Sequence, residues 1–522
     1  MNSNPEGLVE KIKTWWSGGE ADDLRTSDDH RLIISYASIG DGLIGMTICP
    51  GRKGDSASGS DWDRDLETDL NDIKEWGAGM VVSLLDDEEL AAVGGDDFGA
   101  ALRAKGMDWV SVPMPASGLP DAISLEILRR AAPEIHRVLD SKKSVLIHCM
   151  DGFTRSGLVA ALLFTQRGDT AAGAISRIRD IRPGVFENPE QEEFIYREAA
   201  LEGPHSGKIL ASLFGGAIGD ALGAEIEFMS LSEISALFPN KVDRLLAHDG
   251  QVGSITDDTQ MTMFTAEGLI RSHDRGTDPI DEIHQALLRW MVTQGNTAPE
   301  RFDTTGLAQD VRLNKQRAPG MTCTSALRHP NGLGQPADNN SKGCGTIMRV
   351  APIALMGGGQ IEDIAKRASA LTHGHATGQD AAAAWALILS AVMKGADPET
   401  AATDQIGKFG AETSEAIHSA LRAKRNGRPE TVESLGGGWI AEEALAIALY
   451  ATLSAKNFEH GLQIAVTHSG DSDSTGAIAG NLLGLVYPGQ VMAHPWRRQI
   501  ECPDLISRIA QEIDRCALAS AD

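Results

Sequence analysis

Two groups of residues in this 522-residue chain have types and spacings that could do chemistry. The first is Val145-Leu146-Ile147-His148-Cys149-Met150-Asp151-Gly152-Phe153-Thr154-Arg155-Ser156-Gly157, in which five residues separate a cysteine from an arginine and a serine. An apolar run leads in and another, residues 158–163, leads out, so the pattern predicts a strand, a loop and a helix. Backbone N–H groups of Met150, Asp151, Gly152, Phe153, Thr154 and Arg155 could then converge on one oxyanion, with the positive end of the helix beneath them. The same surroundings favour a thiolate at Cys149. The planar fork of Arg155 can grip two phosphate oxygens, and Ser156 can donate a hydrogen bond to the departing sulfur. The chemistry of such a set is in-line attack on a phosphate ester, a cysteinyl-phosphate intermediate and its hydrolysis.

The second group is Thr256-Asp257-Asp258-Thr259 together with Gly470-Asp471-Ser472-Asp473-Ser474-Thr475. Each cluster precedes an apolar helical run, at 261–269 and 478–485, where either alone would pass as an ordinary helix cap. Two in one region predict a cation site. Carboxylate and hydroxyl oxygens select hard ions such as Mg²⁺ or Mn²⁺ over zinc, and shared carboxylates could hold two ions close together.

The elements that must position these residues differ between the two halves. Residues 32–35 open a β-rich stretch and 50–61 form a Gly/Ser/Asp loop. The pattern then predicts a helix at 65–76, strands at 81–85 and 109–112, a helix at 124–139 and a strand at 144–147. Such alternation implies a parallel or mixed sheet covered on both faces. Leu8, Ile12, Trp15 and Trp16 add a helical stripe that would pack on this body. Turn residues cluster at 201–206, and alanine-rich helical spacing follows at 208–222, 259–272, 279–293, 380–394, 440–455 and 474–486. The expected fold is therefore multidomain. An N-terminal α/β domain occupies 1–203 (core about 32–200) and an all-α domain occupies 207–515. Residues 301–342 are polar and rich in Gly, Pro and Asn, which predicts a long functional or mobile loop.

Composition bounds the partners. The net charge of −26 disfavours nonspecific nucleic-acid binding. There is no run of 18 apolar residues and no basic-then-apolar leader, so no membrane association or secretion is expected. Six cysteines without paired spacing predict reduced thiols in a cytoplasm, and the absence of CxxC argues against structural zinc.

The cysteine loop resembles the cysteine-dependent protein phosphatases of the tyrosine and dual-specificity group. The segment Arg179-Asp180-Ile181-Arg182-Pro183-Gly184-Val185-Phe186-Glu187-Asn188-Pro189-Glu190-Gln191-Glu192-Glu193-Phe194 resembles that group's closing segment. Residues 61 to about 197 resemble a compact dual-specificity phosphatase nearest the kinase-associated branch. One departure stands out: in that branch a general-acid Asp follows a Trp-x-x-x-Pro-x-x run. Here Trp109-Val110-Ser111-Val112-Pro113-Met114-Pro115 is followed by Ala116. Asp121 is the nearest substitute acid, though it also fits a helix start, and Asp86 and Asp87 close the preceding strand. A missing acid costs about 10²–10⁴-fold on poor leaving groups. Asp151 would repel a dianion if its carboxylate faced the pocket.

The second half resembles the ADP-ribosylglycohydrolase family, of the dinitrogenase reductase-activating type, from 207 to about 507. The resemblance is carried by Gly215-Gly216-Ala217-Ile218-Gly219-Asp220-Ala221-Leu222-Gly223, by Lys342-Gly343-Cys344-Gly345-Thr346-Ile347-Met348-Arg349, by Leu371-Thr372-His373-Gly374-His375 and by Gly436-Gly437-Gly438-Trp439-Ile440-Ala441-Glu442. It implies cleavage of an ADP-ribose N- or O-glycosidic bond with two Mg²⁺, or Mn²⁺, held by Thr256, Asp257, Asp258, Asp471, Asp473 and Ser474. It also implies Glu227 as a carboxylate for proton transfer or ligation. Gly343, Cys344, Gly345 and Thr346 would lie at the pyrophosphate, with His373 and Trp439 in the pocket; taken by itself, Cys344 reads as a buried thiol. The implied partners are an ADP-ribosylated protein or other ADP-ribose conjugate, and a phosphorylated protein or small phosphate ester. The expectation is a bifunctional hydrolase. Two alternatives stand beside it: a phosphate-binding targeting module in place of the phosphatase, or sequential action of both domains on one phosphorylated ADP-ribose derivative.

Overall fold

Burial alternates residue by residue along Ser35–Ile39, as a half-buried strand at a sheet edge requires. This strand, β1, pairs with Gly42–Thr47 (β2) as an antiparallel hairpin. Ala78–Ser83 (β3), Asp108–Ser111 (β4) and Ser144–His148 (β5) complete a mixed five-stranded sheet of order β1-β2-β5-β3-β4. All pairings except the hairpin are parallel. The structure is a computed structural model and describes residues 24–54, 61–92, 97–186, 188–201, 207–297, 305–328 and 332–519. The stripe at Leu8, Ile12, Trp15 and Trp16 and the turn residues at 202–206 lie outside them.

Central β5 is wholly buried. Val145 and Ile147 enter one hydrophobic cluster while Leu146 enters another on the opposite face, so helices cover both sides of the sheet as the alternating pattern required. Cys149 thus leaves the carboxyl end of the central strand, where open α/β sheets bind ligands. The strand expected at 81–85 begins earlier, at Ala78, and ends at Ser83. Leu84 N–H still donates to His148 O at 3.0 Å, so the apolar run continues the pairing past the strand's end.

Residues Met1–Ala199 and Ala200–Asp522 form two compact units. The second is helical. Its organising contact is the crossing of helices Lys208–Gly223 and Ser472–Val486. Gly215, Gly219 and Gly223 recur every four residues on one helix, and Gly476, Gly480 and Gly484 do so on the other, placing each trio on one face. A Cβ on Gly219 would sit 2.0 Å from Gly476 O, and one on Gly480 would sit 2.0 Å from Gly215 O. Only glycine allows this backbone-to-backbone approach. The crossing brings Asp220 near the start of the Ser472–Val486 helix.

The helix expected at 279–293 is Pro279–Thr293, while Asp257–Arg275 and Ala376–Met393 begin before their apolar runs, on capping residues Thr256 and His375. The loop expected over 301–342 needs correction. Its described part contains 3-10 turns at Gly306–Gln309 and Val311–Leu313 and a helix, Met321–Arg328, that buries Cys323, Thr324 and Leu327. Three buried positions within an eight-residue helix of mixed polarity are too weak a periodic signal to read in advance. No helix of the described residues is long and apolar enough to cross a membrane.

Candidate active sites of the two units

In the helical unit, helix starts supply the carboxylates. Thr256 caps Asp257–Arg275, its Oγ1 accepting Asp258 N–H at 3.2 Å. Buried Asp220 accepts the Thr256 and Thr259 N–H groups at 3.0 and 3.2 Å and also bonds the Thr259 hydroxyl. Asp257 accepts Gly320 N–H at 3.0 Å. At the other helix, Asp471 and Asp473 both accept Ser474 N–H, at 3.3 and 2.9 Å. Ser474 Oγ donates to Asp258 Oδ2 at 3.3 Å, joining clusters 216 residues apart. Carboxylate oxygens of Glu227, Asp471 and Asp473 lie within 4.8 Å of one another.

These groups face one cavity of about 210 Å³. Its lining includes Glu227, Asp257, Asp258, Asp471, Asp473 and Ser474 together with Gly343, Cys344, Gly345, His373 and Trp439. Thr256 and Thr346 are buried and are not among its lining residues. The N–H groups of Cys344 and Thr346 are already donated, to Trp439 O at 3.1 Å and Gly343 O at 3.3 Å, so the glycine turn offers an anion fewer donors than expected. Cys344 is not fully buried: it lines the cavity, and its thiol donates to Asp471 Oδ2 at 2.8 Å. His373 is held neutral, its pKa pushed down to about 3 by burial and by Arg349, and its Nδ1 lies 2.8 Å from Thr372 Oγ1.

Burial first, then mutual repulsion, raises the carboxyls of Asp258 and Asp471 well above the ordinary range; burial does the same for Asp257. Glu227 is pushed up to about 9 and Asp220 to about 7 by the same causes. Buried Asp258 Oδ1 has no hydrogen-bond partner. A cluster of oxygen donors with surplus negative charge and an orphaned carboxylate oxygen fits a divalent cation.

In the α/β unit, His148 is buried beneath the loop, its Nε2 2.7 Å from Ser83 Oγ. Gly152 N–H points at Cys149 Sγ at 3.2 Å, and Ser156 Oγ lies 3.6 Å from the same sulfur. Gly152 has φ +69°, and a Cβ there would meet Thr47 O at 2.4 Å, so the loop demands glycine. Met150 O accepts Cys49 N–H at 3.2 Å, tying the loop down, and Thr154 opens the helix Thr154–Thr165 behind Phe153. Arg155 is held by a two-pronged pair with Glu89, at 2.7 and 2.9 Å, and donates to Leu84 O and Met114 O.

The carboxylates around this loop are engaged. Asp151 is paired with Arg52, which offsets the repulsion its charge would exert on a dianion. Asp121 caps Ala122–Asp140, accepting Ser124 N–H and Oγ–H at 2.7 and 2.8 Å; these bonds hold its pKa below the usual range. A carboxylate stabilised in its charged form is a poor proton donor, which sits badly with Asp121 as the substitute acid. Asp86 accepts Glu89 N–H at 2.8 Å.

A model of the ADP-ribosylglycohydrolase family matches residues 202–521. The chain belongs to the ADP-ribosylglycohydrolase family. Its relatives include an ADP-ribosylarginine hydrolase of Pseudomonas putida, 26% identical over 309 residues, covering 58% of this chain and 76% of the relative. Another is the ADP-ribosyl-[dinitrogen reductase] glycohydrolase of Rhodospirillum rubrum, 24% identical over 326 residues, covering 60% and 97%. A crystal structure of kinase-associated phosphatase is 22% identical, covers 32% of this chain and 93% of that one, and gives a TM-score of 0.29. Members of the family commonly use divalent metals.

Four residues of this ADP-ribosylglycohydrolase were not singled out from sequence. Asp220 sits inside Gly215–Gly223, next to Gly219; a carboxylate within an otherwise mostly apolar helix is the available signal. Glu89 ends the acidic run Asp86-Asp87-Glu88-Glu89, which reads as a solvated turn until Arg155 is seen against it. Arg52 and Arg182 reach the loop from distant segments. Arg182 lies over the Phe153 ring at 4.4 Å, its pKa lowered to about 10 by burial.

Proposed function

We propose that the helical unit hydrolyses the glycosidic bond between ADP-ribose and an acceptor, and that the acceptor is an arginine side chain. The observation that carries this is the convergence of both acidic clusters on one cavity, bridged from Ser474 to Asp258. Thr256, Asp257, Asp258, Asp471, Asp473 and Ser474 would hold two Mg²⁺ or Mn²⁺ ions. When bound, such ions supply Lewis-acid polarisation and orient ribose hydroxyls. Glu227, at the cavity wall, is the group proposed to hold or take the proton exchanged with the leaving group. The arginine acceptor follows from the relative named for ADP-ribosylarginine. The test is incubation of purified protein with arginine-linked and serine-linked ADP-ribosyl peptides, with and without Mg²⁺. Release that persists in both Asp257→Asn and Asp473→Asn would sink the assignment.

The α/β unit is proposed as a cysteine-dependent phosphatase, with Cys149 as nucleophile and Arg155 and the loop from Met150 to Thr154 as the phosphate cradle. Support comes from the fixed Arg155–Glu89 pair and the placement of Gly152 N–H and Ser156 Oγ at the sulfur. A second reading, phosphate capture without efficient turnover, is favoured by Ala116 and by the capping role of Asp121. Steady-state assay of aryl phosphate hydrolysis beside tungstate binding separates the two. The proposed extents are 1–203 and 207–515, and the proposed location is the cytoplasm.

A further inference from the structure

We propose that Phe228 and Trp439 form an aromatic reader for a planar cation, the guanidinium of the arginine acceptor, at the mouth of the glycohydrolase cavity. This rests on the glycohydrolase reading above and extends it from the bond cleaved to the group recognised. Phe228 is 79% exposed and Trp439 43%, and their rings stack with centroids 5.6 Å apart and 23° between planes. Single exposed apolar side chains are ordinary; a stacked aromatic pair left in water at a cavity rim marks a binding surface.

The loops that place the catalytic carboxylates also place both rings. Phe228 directly follows Glu227 in the chain. Trp439 ends the turn Gly436-Gly437-Gly438, in which Gly437 O accepts Asp471 N–H at 2.9 Å, while Trp439 O accepts Cys344 N–H at 3.1 Å. A Cβ on Gly470 would lie 2.1 Å from Gly437 O, so the turn carrying the indole is pressed onto the acidic loop.

The geometry distinguishes among ligands. A planar group sandwiched between two rings needs two contacts of about 3.5 Å each, more than the 5.6 Å available. The ligand must therefore lie on an outer face of the pair, of which Phe228 presents the more exposed ring. On that face a planar cation gains a cation–π attraction that a neutral purine does not. Adjacency to Glu227 puts the platform at the leaving-group end of the scissile bond. Its exposure leaves a path for the chain that carries the acceptor, which a nucleobase pocket does not need.

The experiment uses the full chain with Mg²⁺ and compares arginine-linked with serine-linked ADP-ribosyl peptides in Phe228→Ala and Phe228→Tyr. Loss of the aromatic face should lower the arginine-over-serine ratio of kcat/KM by about 3- to 30-fold, carried by KM, and tyrosine should restore it. Calorimetric affinity for free ADP-ribose, which lacks the guanidinium, should not change in Phe228→Ala. An unaltered ratio, an equal loss on both substrates, or weakened binding of free ADP-ribose (the outcome if the platform stacks adenine) overturns the reader. Wild-type protein that releases ADP-ribose from neither substrate instead breaks the glycohydrolase reading on which the reader stands.

Discussion

The two candidate sites balance charge in opposite ways. In the α/β unit, the charged side chains of the loop itself are paired: Arg155 with Glu89 and Asp151 with Arg52. In the helical unit, Glu227, Asp257, Asp258, Asp471 and Asp473 crowd one cavity, and no Lys or Arg among the described residues forms an ion pair with them. The difference teaches what each ligand must bring. A loop whose arginine is held in position by a carboxylate receives an anion through its geometry. A cavity that crowds carboxyls without a basic partner either holds protons or fits a cation.

The sharpest way to break this comparison is to remove one carboxylate. Asp473→Asn should reduce ADP-ribose release below detection. It should also raise the melting temperature of the metal-free protein, because repulsion among the buried acids falls, and shrink the Mg²⁺-induced thermal shift. A variant that is less stable without metal and keeps the full shift would contradict the unneutralised-cluster picture. On the other side, Cys149→Ser should abolish aryl phosphate hydrolysis, retain tungstate binding by calorimetry, and leave ADP-ribose release intact.

Next in size is the missing acid. Ala116→Asp should accelerate alkyl phosphate hydrolysis by about 10²–10⁴-fold and leave activated aryl esters nearly unchanged, since only poor leaving groups need a proton. Equal effects on both ester classes would show that position 116 does not address the leaving group.

The pH dependence of stability should be smaller but carries a definite sign. Asp220 and Glu227 have folded-state pKa values raised to about 7 and about 9, from ordinary values of 3.8 and 4.5. The native metal-free state therefore binds more protons than the unfolded chain across this window. Stability from these groups is present below about pH 4 and is lost as pH rises through 7 to 9. Thermal melts in a chelator should show that decline, and added Mg²⁺ should flatten it. The smallest effect is expected from Glu89→Gln, which loosens but does not remove Arg155; phosphate or tungstate affinity should fall by about 3- to 10-fold, in line with one charge-assisted hydrogen-bond pair.

Much of this was legible in the sequence because the informative signals are local. The Cys149 loop lies between an apolar strand and an apolar helix, and β5 and Thr154–Thr165 follow from that pattern. The acidic clusters sit at helix starts, so Thr256 and Asp471 serve as caps as well as candidate ligands. What stayed hidden depended on partners distant in the chain. In sequence Asp121 reads as an available acid, whereas in the fold it accepts two hydrogen bonds from Ser124. Asp151 is paired with Arg52, and the Cys344 thiol donates to Asp471.

Residue type and short-range spacing, by themselves, determined which residue sets are candidates for the two proposed chemistries: a thiol with an arginine for phosphate, and paired carboxylates for a hard cation. These are properties of side chains within one turn of helix or one loop, and periodicity reports them directly. The tertiary structure decided which residues share a cavity and what charge remains there. The four-residue glycine spacing on two helices more than 250 residues apart lets their backbones touch and sets the start of one beside Asp220 and the other acidic cluster. Burial at that crossing, which no local pattern encodes, turns ordinary helix caps into carboxylates that hold protons or need a cation.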